Sequence, residues 1–350
     1  MGDINPHRPK EGPFLLAGDI GGTKTNIGLF TIAPSGPCLY TEATYASSQV
    51  NNLEEMIEDL LNKHPVALAA ACFGIAGPVI DGVAHLTNLS WSVSEANLRQ
   101  RLGCNRISLI NDLTATALAV PLLGRDVLTP LNDVPVKKRG NMALVAPGTG
   151  LGQALLLHER GDYRPIASEG GHSDFAPTDE TEVNLWHFLN KRYGHVSIER
   201  TLSGAGLLNI YLWLAHNQPG LASDEVNRAL QNPESQDPAR VITRLALEGG
   251  ESLCSKTLTH YCRILGAVTG NLALTAMATG GVFLGGGIPP KILPILEKSD
   301  FMRRFCAKGR FSDLLAAIPV WVIRNDKAAL LGAARMALTL FTQPPERATP

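Results

Sequence analysis

Hydrophobic positions in the first fifty residues fall into short runs broken by glycine-bearing turns. Residues 14–17, 27–32 and 39–45 are apolar segments of strand length and predict a three-stranded meander. Leu53, Met56, Ile57, Leu60 and Leu61 then recur at helical spacing, with Asn51 or Asn52 placed to cap the helix. A continuous apolar run over 66–73 ends at Gly74 and predicts a buried strand. A second helix opens at Ser92 or Ser94 and stops at Gly103. Another short buried strand, 107–110, leads directly into a helical stretch through Leu118.

The pattern then restarts. Residues 142–146, 153–158 and 163–167 predict a second meander. Helical periodicity follows over 180–193, 205–216 and about 251–278, with strands at 282–284 and 320–323 and a closing helix over 326–340. A meander followed by alternating helices and strands, occurring twice, predicts an α/β protein with two related halves. The stretch 121–140, with three prolines and two glycines, is the candidate crossing between them. Residues 217–240 are polar and Pro-bearing and read as a surface insertion. The ends, 1–12 and 342–350, read as disordered tails.

Both meanders turn on glycine. Gly18-Asp19-Ile20-Gly21-Gly22-Thr23-Lys24 lies between the first two strands, and Gly148-Thr149-Gly150-Leu151-Gly152 between the corresponding pair of the second half. Glycines at such turns let backbone N–H groups approach an anion closely. Each turn alone is equally well a plain hairpin. The second lacks the G-x-G-x-x-G spacing of a dinucleotide fingerprint, and a strand follows it instead of a helix. The dipeptide Gly-Lys is absent, which excludes a Walker-type loop. Asp19 and Thr23 add hard oxygen donors suited to Mg²⁺, directly or through water.

Four further polar sites stand out. Asn111-Asp112 follows a buried strand where open α/β sheets place ligands, so Asp112 is either a general base or the cap of the next helix. Ser168-Glu169-Gly170-Gly171-His172-Ser173-Asp174 gathers polar groups around two glycines, as binding of a polyhydroxyl compound requires; a metal at His172 is the competing reading. Glu199 is a binding carboxylate or a surface partner of Arg200. Gly285-Gly286-Gly287 either presents flat backbone to an adenine ring or is a tight strand-end turn.

Composition narrows the classes. Of 350 residues 45% are hydrophobic and 18% charged, with a formal net charge of -1 and no run of five like charges. Nucleic acid and an anionic membrane surface are thereby excluded as main partners. No apolar stretch reaches the roughly 18 residues that span a bilayer, and the N-terminus has neither signal-peptide regions nor, with Pro6 in the critical position, a myristoylation signal. Six scattered cysteines without a C-x-x-C pair read as small buried hydrophobes in a reducing, cytoplasmic compartment.

In order, Asp19-Ile20-Gly21-Gly22-Thr23, Ile110-Asn111-Asp112-Leu113-Thr114-Ala115, Gly148-Thr149-Gly150-Leu151-Gly152, Glu169-Gly170-Gly171-His172-Ser173-Asp174-Phe175, Glu199-Arg200-Thr201-Leu202-Ser203-Gly204 and Gly285-Gly286-Gly287-Ile288 resemble the bacterial glucokinase family from about Phe14 to Leu340. The resemblance implies an actin-like ATPase (ribonuclease H-like) fold with two domains flanking a substrate cleft. The smaller would comprise 13–122 plus 324–341, the larger 123–323. It implies ATP-dependent phosphorylation of glucose at the 6-hydroxyl, with Asp112 as base and Asn111, Glu169, His172 and Glu199 on the other hydroxyls. Asn88, with Thr87, and Ala76-Gly77-Pro78 are similar to cleft-lining positions. Gly18, Asp19, Gly21, Gly22, Thr23 and Lys24 would meet the phosphates of ATP and Mg²⁺, the cation through water on Asp19. Gly148, Thr149 and Gly150 would form the second phosphate loop, with Gly285, Gly286 and Gly287 near adenosine. A homodimer is likewise implied. Lys24 stands where the group often has asparagine, and the cysteine-rich zinc motif of the wider repressor–kinase group does not follow His172. A kinase for mannose, fructose or an N-acetylhexosamine is the alternative, and a non-catalytic sugar sensor a further one.

Overall fold

A computed structural model describes residues 12–86, 91–135, 139–249 and 252–343. The first elements in chain order are β1 (Phe14–Ile20), β2 (Lys24–Ala33), β3 (Gly36–Ala46), α1 (Leu53–Lys63), β4 (Leu68–Ile75), β5 (Val79–Ile80), β6 (Val83–His85), β7 (Ser92–Ser94), α2 (Glu95–Leu102), β8 (Ile107–Asn111) and α3 (Asp112–Ala119). Next come β9 (Leu128–Pro130), β10 (Met142–Pro147), β11 (Leu151–Glu159), β12 (Asp162–Ser168), α4 (Glu180–Tyr193), α5 (Gly204–Asn217), α6 (Asp224–Gln231), α7 (Pro238–Glu248) and α8 (Leu253–Ala276). The last are β13 (Gly281–Leu284), α9 (Leu293–Leu296), α10 (Phe301–Cys306), α11 (Ser312–Ala316), β14 (Val320–Ile323) and α12 (Ala328–Thr342). The chain divides into two compact units, one ending at Leu123 and resuming at Lys327, the other Gly124–Asp326.

The first unit is a five-stranded sheet of order β3-β2-β1-β4-β8, antiparallel through β1 and parallel from there. Its central strand is buried on both faces, which explains an apolar run without alternation. Leu15 and Ala17 of β1 pack with Leu330, Ala333, Ala334 and Ala337 of α12. Phe14, Leu16 and Ile20 face the Leu53, Met56, Ile57 and Leu60 stripe of α1. Asn52 caps α1, its side chain accepting from the Glu55 amide at 2.9 Å. A small sheet of β5, β6 and β7 was not legible in the sequence.

The second unit repeats the plan, β12-β11-β10-β13-β14, with β9 added antiparallel to the edge. The stretch 121–140 is therefore more than a crossing: Leu128–Pro130 pairs with Val322 and its neighbours. The reading of 217–240 as a surface insertion is corrected too. Helix α6 and the start of α7 lie there, and Val226 and Ala229 are buried in the core around α8, with Pro238 buried at the first turn of α7. Arg304, 11% exposed, bonds Asp179 at 2.9 Å and also Glu182, tying α10 to α4. All six cysteines are free thiols; Cys38 is exposed, which corrects its reading as a buried hydrophobe. Among the described residues no helix is long and apolar enough to cross a membrane. Of the expected tails 1–12 and 342–350, Thr342 is instead the last residue of α12, and residues 1–11 and 344–350 lie outside the described residues.

Candidate functional site

In the first unit the candidate residues collect at the carboxyl ends of the parallel strands. The register sets Asp19 of β1 beside Gly74 of β4, Gly74 beside Ile110 of β8, and Ile75 beside Asn111. With strands about 4.8 Å apart, Asp19 and the end of β8 are separated only by the width of β4. Gly74 keeps that space narrow: a Cβ there would stand 2.9 Å from the Ala115 Cβ and 3.6 Å from the Asp112 Cα.

The cap of α3 is Asn111, not Asp112. Its Oδ1 accepts from the amides of Leu113 at 2.9 Å and Thr114 at 3.4 Å, and its Nδ2 donates to the Gly77 carbonyl at 3.2 Å. Capping leaves Asn111 one amide hydrogen for a ligand. Asp112 occupies the first helical turn, and one carboxylate oxygen accepts from the Leu113 amide at 2.8 Å. Asp19 is half-buried and accepts from Asn26 at 3.5 Å. Residues 21–24 form the hairpin turn, with Ile20 opposite Thr25 and the Gly21 amide donating to the Lys24 carbonyl at 3.1 Å. Gly18 is not part of that turn; it lies buried in β1 against the Phe73 ring. Asn88, with Thr87, lies outside the described residues.

In the second unit three separated segments converge. Gly148–Gly150 closes the turn between β10 and β11, the Gly148 amide donating to the Gly150 carbonyl at 2.8 Å. Behind it, the segment through His172 pairs with the one leading to Glu199: Phe175 N–H donates to Val196 at 2.9 Å and Ile198 N–H to Ser173 at 2.9 Å. Glu199 thereby reaches the glycine turn, where its Oε2 accepts from the Leu151 amide at 2.8 Å. A Cβ on Gly150 would lie 2.7 Å from that oxygen, so a side chain there would push the Glu199 carboxylate off the Leu151 amide. The alternative partner, Arg200, lies instead over the Tyr193 ring, 4.2 Å from its centroid. Glu169 and His172 are exposed on the same loop and Glu199 is half-buried. Among the described residues no group of three or more His, Cys, Asp or Glu could hold a metal.

The third glycine turn is bonded to the same strand end. Gly285 N–H donates to Val145 at 2.9 Å and Ile288 N–H to Pro147 at 3.2 Å. Gly286 has φ +75°, and a Cβ there would stand 2.4 Å from the Pro147 carbonyl oxygen, so only glycine fits. Beside these turns opens a cavity of about 970 Å³ reached by Gly148, Thr149 and Gly287. Leu207, Leu208, Ala239, Leu247, Ile288 and Ile292 supply its apolar wall, and Asp237, Arg240, Thr243, Arg244, Glu248 and Lys291 its polar one. The start of α5 borders it, capped by Ser203 on the Gly206 amide at 3.0 Å, while Gly204 N–H bonds the Gly148 carbonyl at 2.9 Å. A helix N-terminus at this place favours negative charge. Arg244 is shared between Glu225 and Glu248, and the Glu248 hydrogen bond holds its pKa above the ordinary value. Sequence reasoning missed the α7 wall, although Asp237-Pro238 before Val241, Ile242 and Leu245 is a helix-start signal.

Residues 16–340 match the family model for glucokinase. The chain is 40% identical over 345 residues to a glucokinase of Synechocystis sp., covering 92% of this chain and 97% of that protein. Among solved structures it resembles a glucokinase from an Antarctic psychrotroph, with TM-score 0.81, 29% identity, and coverage of 94% of this chain and 100% of that one. It also resembles a ROK family glucokinase from Streptomyces griseus in complex with glucose and AMPPNP, with TM-score 0.59 and 21% identity over 93% of this chain and 99% of that one. The fold is that of the actin-like ATPases.

Proposed function

The chain belongs to the glucokinase family and is a sugar-phosphorylating enzyme, and from that premise we propose that it moves the terminal phosphoryl group of ATP to the 6-hydroxyl of glucose. The new bond joins O6 to the γ-phosphorus, the bond from that phosphorus to the β-phosphate oxygen breaks, and the O6 proton goes to Asp112. A base so placed contributes about 10²–10⁴-fold. Glu169, His172, Glu199 and the spare Asn111 amide hydrogen hold the remaining hydroxyls. The Gly21–Lys24 and Gly148–Gly150 turns meet the phosphates, and the cavity beside Gly287 takes the nucleoside. The Streptomyces griseus neighbour's complex with glucose and AMPPNP supports this pair of substrates.

Asp19 suits Mg²⁺ that arrives with ATP. The described residues build no cage of three or more ligands, and Mg²⁺ keeps several waters and phosphate oxygens while taking only one or two carboxylates. Bound there, it would neutralise charge developing on the phosphoryl oxygens. We place the enzyme in the cytoplasm, consistent with six free thiols.

The observation that carries the reading is the alignment of Asp19, Gly74 and Asn111-Asp112 at the ends of three neighbouring parallel strands. Glucose-dependent ADP release, followed in a coupled assay, tests it. Asp112→Ala should lower kcat at least about 100-fold and leave glucose affinity within a few-fold. A variant keeping a tenth of wild-type turnover sinks the base assignment. A higher kcat/KM for mannose, fructose or N-acetylglucosamine sinks the choice of sugar.

A further inference from the structure

β3 ends at Ala46, level with the start of β2, and what the next residue does there has no counterpart in the assigned roles. The β2–β3 register pairs Lys24 with Ala46. The next residue, Ser47, continues the ladder alongside the phosphate turn, its amide donating to the Thr23 carbonyl at 3.0 Å. Its hydroxyl reaches the other side of the turn and donates to the Gly21 carbonyl at 2.7 Å. Ser47 is fully buried, as is Thr25, whose Oγ1 lies 2.9 Å from the Ser47 Oγ. A serine hydroxyl has one hydrogen. Since Ser47 spends it on Gly21, Thr25 is the donor in that pair, and the chain runs Thr25 to Ser47 to Gly21. Three residues earlier on β3, the exposed Thr44 donates to Asn26 Oδ1 at 2.9 Å. That bond fixes the amide of Asn26, itself 4% exposed, so that its Nδ2 faces Asp19.

We propose that Ser47 and Thr44 are positioning residues for the phosphate donor: Ser47 holds the carbonyls of Gly21 and Thr23 from behind the turn, and Thr44, through Asn26, aims the Asp19 carboxylate. Holding the carbonyls on the Ser47 side fixes the peptide planes of the turn. A peptide plane carries its N–H opposite its C=O, so amides belonging to the held planes point away from Ser47. A turn fixed in advance spends no binding free energy on ordering itself when the phosphates arrive. The inference rests on the reading that this turn meets the phosphates.

The test is calorimetric titration with AMPPNP and Mg²⁺, together with initial-rate kinetics on ATP and glucose. Ser47→Ala should weaken AMPPNP binding and raise the KM for ATP about 5- to 10-fold, as expected when one oriented hydrogen bond is lost. The KM for glucose should stay within twofold. A purely structural serine would lower the melting temperature and leave AMPPNP affinity unchanged, and that result overturns the proposal, as does a matched rise in both KM values. If Ser47→Ala does not fold, Thr44→Val on the exposed strand decides. It should raise the KM for ATP with Thr44→Ser restoring it, and an unchanged KM for ATP overturns the proposal. Asp19→Asn separates the two levels. Unchanged AMPPNP affinity in that variant sinks the phosphate-turn reading itself, whereas a loss there without a loss in Ser47→Ala sinks only the brace. AMPPNP binding needs no sugar, so a chain that binds it and phosphorylates no hexose would refute the proposed reaction and not this device.

Discussion

Glu199 is proposed as a sugar ligand, yet one of its oxygens is already occupied by the second glycine turn. Replacing it should therefore disturb both substrates. In Glu199→Ala the Leu151 amide loses its 2.8 Å acceptor. Leu151 is 7% exposed, so the amide is poorly placed to recover a water. An orphaned buried donor costs about 1–3 kcal/mol, which corresponds to about 5- to 150-fold in the population of the turn as it now stands. The KM for ATP should rise within that range. The lost charge-assisted bond to a glucose hydroxyl, worth about 1.5–3 kcal/mol, should raise the KM for glucose by about 10- to 150-fold. Glu199→Gln separates the two losses: its amide oxygen can still accept from Leu151, so the KM for ATP should rise less than about fivefold while that for glucose still rises at least tenfold. Gly150→Ala attacks the same bond from the other side, because its Cβ would sit 2.7 Å from the carboxylate oxygen. Initial rates of ADP release at varied ATP and glucose measure all three, with melting curves to establish folding. A Glu199→Ala enzyme with impaired glucose KM and an ATP KM within twofold of wild type would refute the coupling.

Other sites give simpler expectations. Gly286→Ala combines a φ of +75° with a Cβ 2.4 Å from the Pro147 oxygen; titration with AMPPNP should show at least a tenfold loss of affinity while glucose binding stays unchanged. Arg304→Met leaves Glu182, 2% exposed, without its guanidinium partner. Breaking one side of a buried pair costs about 3–5 kcal/mol, to be read from the denaturant midpoint at constant slope. His260 sits against Trp213 at 5.4 Å between ring centroids, and burial, with Arg263 adding to it, pushes its pKa below the usual 6.5. The unfolded chain then binds a proton that the folded one refuses, so stability is full above 6.5 and falls as pH drops from there toward the lowered folded value. His260→Gln should flatten the fall in melting temperature between pH 7 and pH 5; a slope equal to wild type would show that this histidine is not the group responsible.

How far the fold could be read depended on element length and on who satisfies the backbone. Glu180–Tyr193 carries its own cap at Asp179, whose side chain accepts from the Glu182 amide, and it was legible residue for residue. Strand β1 was cut short at position 17 because Gly18 and Asp19 look like turn residues, although both continue the ladder to β2. Helix α6 and the start of α7 carry polar residues on their outer faces, so their stretch reads as a surface loop until Val226 and Ala229 find a core to enter. Strand β9 contains Pro130 and exists only because the edge of β14 is there to pair with it. At the site, the residue types were legible but their division of labour was not. Whether Asn111 or Asp112 caps α3 depends on backbone geometry, since Asn111 is extended with φ −65° and ψ 146° while Asp112 is already helical. Nor does sequence distance hint that Glu199 meets Leu151, 48 residues earlier.

Both glycine turns occupy the same place in the same plan, between the first two antiparallel strands of sheets whose order is otherwise shared. Their supports differ in kind. The first is held by Ser47, its hydroxyl on the Gly21 carbonyl and its amide on the Thr23 carbonyl, with Thr44 acting through Asn26 on the neighbouring Asp19. None of these is proposed to touch sugar. The second is held by a carboxylate and a helix start, Glu199 on the Leu151 amide and Gly204 on the Gly148 carbonyl. There the support is itself a proposed sugar ligand. Damage to the first support should thus appear in nucleotide parameters alone, and damage to the second in nucleotide and sugar parameters together. On the proposed roles, the two copies of a duplicated scaffold would be divided, one turn answering only to the donor and the other reporting to the donor that an acceptor is bound.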